Sequence, residues 1–151
     1  MTLVEIAGVV ACECPAHARV VLFDPQRRRK LYVRVHTQAG QVLLAELAGV
    51  PSQSAALVDL LRDALRAAGA SFEAVTLRFE NNDLCASVRL CGPQGRREID
   101  TEPCEALLAA CRMGAELFVD ERTIEPPPRD QVPEAYRQAV ETIDFSGLGE
   151  D

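Results

Sequence analysis

Asp100, Glu102 and Glu105 bracket the predicted start of a helix, and Arg112 follows two turns later. Backbone N–H groups at a helix start attract anions, so the plain expectation is that these carboxylates complement the helix dipole. The run Arg27-Arg28-Arg29-Lys30 is the one concentrated cluster of cations. It could attract phosphate, or it could simply blunt a solvated turn. His17 and His36 could each serve as a general base, yet neither has a partner at a defined spacing, which makes a surface or packed role the simpler expectation. Cys12 and Cys14 alternate along a strand and could form a redox pair, although a lone Cys-x-Cys has little specificity. Cys104 and Cys111 share a helical stripe with Leu107 and Leu108, where a free thiol packs as a small apolar group.

The elements that must position these residues can be read from periodicity and from turn residues. Residues 2–12 form a β-branched run interrupted by Gly8, where a bulge is expected. Residues 19–24 and 30–36 read as a hairpin, with Leu31, Val33 and Val35 on one face. Val42, Leu43, Leu44 and Leu47 predict a helix capped by Thr37 and stopped by Gly49. A second helix follows, capped by Ser52 or Ser54, with Leu57, Leu60, Leu61, Ala64, Leu65 and Ala68 as its expected buried stripe. Residues 72–80 and 84–91 form a hairpin through Asn81-Asn82-Asp83, and residues 96–100 add a strand. Thr101 is then expected to cap a helix whose first turn holds Pro103 and which ends at Gly114. Residues 117–119 give a last strand. Beyond Pro126-Pro127-Pro128, a short amphipathic helix is expected on Val132, Tyr136, Ala139, Val140 and Ile143.

Together these elements predict an α+β fold, a mixed and largely antiparallel sheet packed with helices, over residues 1–124. Residues 125–151 read as a Pro-rich linker and an acidic helical tail. The 151 residues carry a net charge of −7, which argues against broad, non-specific nucleic-acid binding. The charge is uneven, however: residues 1–36 hold six Lys or Arg against three Asp or Glu, and residues 116–151 hold three against ten. The apolar runs are too short to span a membrane, and Met1-Thr2-Leu3-Val4-Glu5 is unlike an export signal. A cytoplasmic chain with its six cysteines reduced is therefore expected.

Taken in order, Leu31-Tyr32-Val33-Arg34-Val35, a helix to Gly49-Val50, Leu57-Val58-Asp59-Leu60-Leu61, Val75-Thr76-Leu77 and Ile99-Asp100-x-x-Pro103 resemble the bifunctional nuclease domain family. Ala106-Leu107-Leu108-Ala109-Ala110 through Gly114-Ala115, then Leu117-Phe118-Val119, close the match. The resemblance implies metal-assisted phosphodiester hydrolysis of RNA and DNA by a homodimer or larger oligomer. On that basis Asp100, Glu102 and Glu105 would be catalytic, and Asp100 and Glu105 would hold a divalent cation, Mg or Mn. Arg27, Arg28, Arg29, Lys30 and Arg112 would bind the substrate. The chain departs from the family pattern at several of its positions. Glu102, Cys104 and Glu105 stand where the family has Arg, Ser and Asp. Ala39 replaces a glutamate, and Ser54-Ala55-Ala56 replaces Thr-His-Asp/Glu. These departures imply reduced or lost cleavage, and the alternative is a catalytically silent oligomeric binding or regulatory module.

Overall fold

The computed structural model describes residues 1–121. The expected tail helix and the 124/125 boundary lie outside the described residues. The chain makes one three-stranded antiparallel meander, β1 (Thr2–Ala11), β2 (His17–Asp24) and β3 (Arg29–His36). Two helices follow, α1 (Thr37–Leu47) and α2 (Gln53–Ala67). A second meander then forms from β4 (Ser71–Glu80), β5 (Asp83–Gly92) and β6 (Gly95–Thr101). The described chain closes with α3 (Pro103–Met113) and β7 (Glu116–Val119).

The four residues of β7 join the two meanders into one sheet, in the order β3-β2-β1-β7-β4-β5-β6. Leu117 pairs with Val4 across an antiparallel rung and with Val75 across a parallel one. All three side chains are buried, so backbone pairing and apolar burial coincide at this seam. The mixed, largely antiparallel sheet and the α+β class are as expected from the sequence. Gly8 marks a register shift in β1, and Asn81 and Asn82 turn the β4–β5 hairpin with φ of 51° and 65°.

Helix α3 carries five consecutive buried residues, Ala106 to Ala110. Such a run is buried all round, and α3 accordingly packs against α1, α2, β4 and β5. Helix α1 lies close against β2 because position 40 is glycine: a Cβ there would stand 2.6 Å from the Cβ of Ala18. At the other end of α3, Arg112 donates to Asp59 of α2 at 2.7 and 2.8 Å and to Glu46 of α1 at 3.1 and 3.2 Å, tying three helices together.

Three local expectations are corrected. Thr37 does not cap α1; it is the first helical residue, and its hydroxyl donates to the carbonyl of Pro15 at 2.7 Å. Thr101 does not cap α3, because it is the last residue of β6 and Glu102 occupies the cap position without a side-chain bond. Ser52 does cap α2, accepting from the Ala55 amide at 3.0 Å. The expected apolar stripe of α2 faces outward, with Leu57 66% and Leu60 64% exposed, whereas Ala55 and Val58 are buried. Asp59 must face α3 to meet Arg112, and that rotation turns the leucines away from the core.

Asp24 is fully buried at the end of β2. Its carboxylate accepts from the amides of Gln26 at 3.0 Å and Arg27 at 3.2 Å, and from Arg29 Nε at 3.2 Å. Burial alone would raise its pKa, but these donors outweigh burial and hold it below the ordinary value. Asp24→Asn should lower stability by about 1–3 kcal/mol in urea titrations at neutral pH. A depressed carboxyl contributes stability above its unfolded pKa, near ~3.9, and loses it as pH falls through the folded value. The gap between wild type and variant should therefore narrow in acid.

Candidate functional site

The described chain encloses an open cavity of about 1130 Å³ between the two meanders. On one side stand β2 and β3, supplying His17, Arg19, Tyr32, Arg34 and His36. Facing them are the β4–β5 turn, with Asn82 and Asp83, and the start of α3, with Glu102, Pro103, Cys104 and Glu105. The start of α1 contributes Gln38 and Ala39. Two helices thus begin at the cavity and neither has a side-chain cap, which leaves first-turn N–H donors and the positive dipole ends for a ligand.

The β2–β3 wall is unusual for its register. Arg19 lies directly opposite Arg34, and His17 directly opposite His36. The two imidazoles stack with centroids 5.5 Å apart and planes inclined by 23°. Like charges directly opposite on a sheet repel. Arg19 and Arg34 nevertheless have no carboxylate partner among the described residues. Arg27, Arg29, Arg62, Arg78, Arg89, Arg96 and Arg112, by contrast, are all ion-paired. Burial pushes the Tyr32 phenol up and the positive charge of Arg19 pulls it back, consistent with both residues lining one wall.

The acidic residues singled out in the sequence divide between two places. Glu102 and Glu105 line the cavity, but Asp100 is on β6 and receives Arg78 at 3.2 Å. The expected cations lie elsewhere. The Arg27–Lys30 tip is at the far end of the β2–β3 hairpin, about 23 Å from His36 along β3 at ~3.3 Å per residue. Arg27 and Arg29 are bound to Asp24 and Glu121 there. Lys30 is half-buried opposite Phe23, and burial lowers its pKa. Arg112 is at the C-terminal end of α3 and its guanidinium is taken by Asp59 and Glu46, which raise its pKa.

No three His, Cys, Asp or Glu side chains among the described residues converge on a metal position. Glu102 and Glu105 nonetheless suit a hard cation that takes one or two carboxylates and completes its shell with water and substrate phosphate. Cys104 and Cys111 are poorly suited to nucleophilic work. Burial and Glu46 push Cys111 up to about 11, and burial and Glu105 raise Cys104.

Residues 20–127 match the family model described as the bifunctional nuclease domain. The chain belongs to this family. No curated protein sequence matches the chain. The bifunctional nuclease match begins at Val20, so His17 and Arg19 stand just outside it while their partners His36 and Arg34 fall inside. Sequence reasoning weighed the histidines singly and passed over Arg19 and Arg34. The signal available was strand alternation, which puts Tyr32, Arg34 and His36 on the face opposite Leu31, Val33 and Val35.

If the Arg19–Arg34 rung is held together against repulsion for the sake of a ligand, neutralising it should not harm the fold. Arg34→Gln should leave thermal stability unchanged or raise it by up to about 1 kcal/mol. The same variant should weaken binding of an anionic polymer in fluorescence titrations. A clear loss of stability in Arg34→Gln would show instead that the guanidinium serves the fold.

Proposed function

We propose that the cavity binds a nucleic-acid strand through its phosphates and positions one phosphodiester for hydrolysis. The carrying observation is the Arg19–Arg34 rung, which lacks any acidic partner among the described residues and faces a cavity where α1 and α3 both begin. Two guanidinium groups free of acidic partners and two helix starts would bring positive charge to a phosphate. They would supply local affinity that the net charge of −7 does not. Family membership favours cleavage of RNA and DNA over mere binding.

Glu102 and Glu105 would hold a divalent cation, which when bound would supply Lewis acidity toward the phosphate and lower the pKa of a bound water. Arg19 and Arg34 bind and orient the strand and stabilise charge as it builds on the phosphate oxygens. His17 and His36 stand beside them on the same cavity wall. Purified protein should cut single-stranded RNA and DNA with Mg or Mn, and a Glu102→Gln/Glu105→Gln pair should lose about 100-fold or more in rate. Full activity in the pair, or in EDTA, would overturn the assignment of these carboxylates.

A second reading is a module that binds without cutting. Ala39 and Ser54 line the cavity where family resemblance expects a glutamate and a Thr-His-acid run, and Asp100 is engaged by Arg78 outside it. Strand binding without cleavage at any metal concentration would select this reading.

Self-association has its own support. Leu57, Leu60 and Leu61 of α2 and Leu44, Leu47 and Val50 beside them are between 43% and 66% exposed. Exposed apolar side chains in such number favour a partner surface over solvent. A second copy of the chain would cover this face. Sedimentation should show a dimer or larger species at micromolar protein, and Leu57→Asp with Leu60→Asp should convert it to monomer without unfolding it. A wild-type monomer at those concentrations would exclude self-association through this surface.

A further inference from the structure

The reading of the cavity as a phosphate site leaves unexplained why a second like pair, His17 opposite His36, stands two rungs beyond Arg19 and Arg34, past Ala18 and Val35. Residues two apart on a strand share a face and lie about 6.6 Å apart along it. This rise is comparable to the repeat from one phosphate to the next in a nucleic-acid backbone. All four side chains line the same cavity wall, and the imidazoles are already stacked at 5.5 Å. The rung of guanidinium groups is charged at every physiological pH, whereas imidazole gains or loses its charge near neutrality.

We propose that the β2–β3 wall is a two-rung ladder for successive phosphates. Arg19 and Arg34 hold one phosphate permanently, and His17 and His36 hold the next by taking up protons as it binds. This rests on the cavity being a phosphate site and adds which part of the polymer it reads: a step carrying two phosphates, and not an isolated one. Two stacked imidazolium ions beside two guanidinium groups would repel one another. An arriving phosphate supplies the negative charge that makes protonation favourable, so binding and proton uptake are linked. The sign follows: affinity for the second phosphate is greatest in mild acid and fades as pH rises and the imidazoles lose their protons.

Other titratable or charged groups stand around the pair. The nearest to His17 is the thiol of Cys14, whose Sγ is 3.4 Å from Nδ1. Tyr32 and Cys104, with pKa values raised by burial, stay neutral across this range. Asp83, Glu102 and Glu105 line the cavity from the β4–β5 turn and α3. Arg19 and Arg34 keep their charge throughout.

The test uses the full chain in EDTA, and separately in Ca²⁺, with two probes whose charge is constant near neutrality: a thymidine dinucleotide with one phosphodiester, and a trinucleotide with two. At about pH 6 the second phosphodiester should improve affinity by about tenfold, and at about pH 8 by little. Calorimetry at about pH 7, in two buffers differing in protonation enthalpy, should detect net proton uptake with the trinucleotide, on the order of one proton. A His17→Gln/His36→Gln variant should lose both the pH dependence and the uptake while binding the dinucleotide normally. Arg19→Gln should weaken both probes at every pH and keep the uptake. Glu105→Gln should keep the pH profile; its loss there would place the titration on the carboxylate wall and overturn the ladder. A flat pH profile without proton uptake would also overturn the ladder while leaving the phosphate site standing. Failure of both probes to bind under either condition would overturn the phosphate site itself.

Discussion

Seven strands become one sheet because four residues, β7, lie between two meanders that would otherwise expose an edge each. The seam is apolar on both sides, with Val4, Leu117 and Val75 in adjacent registers. Beyond Val119, the amide of Asp120 still donates to the carbonyl of Leu77 at 2.9 Å. Glu121 next receives Thr2, Arg27 and Arg29, which fastens the β2–β3 turn to the end of β7. The cavity depends on this seam. One of its walls belongs to the first meander, the other to the turn of the second and to α3, and the sheet curls far enough for β3 to touch β5.

The disposition of charge separates fold from site more clearly than the acidic total would suggest. Most arginines are paired to a neighbouring carboxylate, and exposed pairs of that kind add little stability each. Arg112 differs because it donates to two other helices at once, and it fixes the rotation of α2 and with it the outward direction of Leu57, Leu60 and Leu61. The Arg27–Lys30 tip is likewise drawn into the fold by buried Asp24. Arg19 and Arg34, opposite one another on the cavity wall, are among the described arginines that have no acidic partner. Concentrated charge in a sequence is therefore a poor guide to free charge in this fold.

Much of the architecture was legible because its causes are local. Alternation marks β2 and β3, asparagines able to take positive φ mark the β4–β5 turn, and Pro103 and Gly114 bracket α3. Glu102 and Glu105 could be placed at a helix start for the same reason. Three things had non-local causes. The face that α2 buries is chosen by Arg112, a residue 53 positions from Asp59 in the chain. The rung joining His17 to His36 is set by hairpin register, which one sequence read linearly does not display. Asp100 precedes Glu102 by two residues, yet the end of β6 and the start of α3 carry them to different surroundings.

Helix α3 links these observations. Its N-terminal turn presents Glu102 and Glu105 to the cavity, its middle is the most buried stretch of helix in the described chain, and its C-terminal turn carries the Arg112 clamp. Packing constrains side-chain volume in its middle, whereas changes at Glu102 and Cys104 would meet the open cavity. A helix held from both ends and all around can tolerate such changes at its first turn without moving. The same rigidity gives Arg19, Arg34, His17 and His36 a fixed opposing wall, so a strand held by its phosphates would meet Glu102 and Glu105 without reorganisation of the protein.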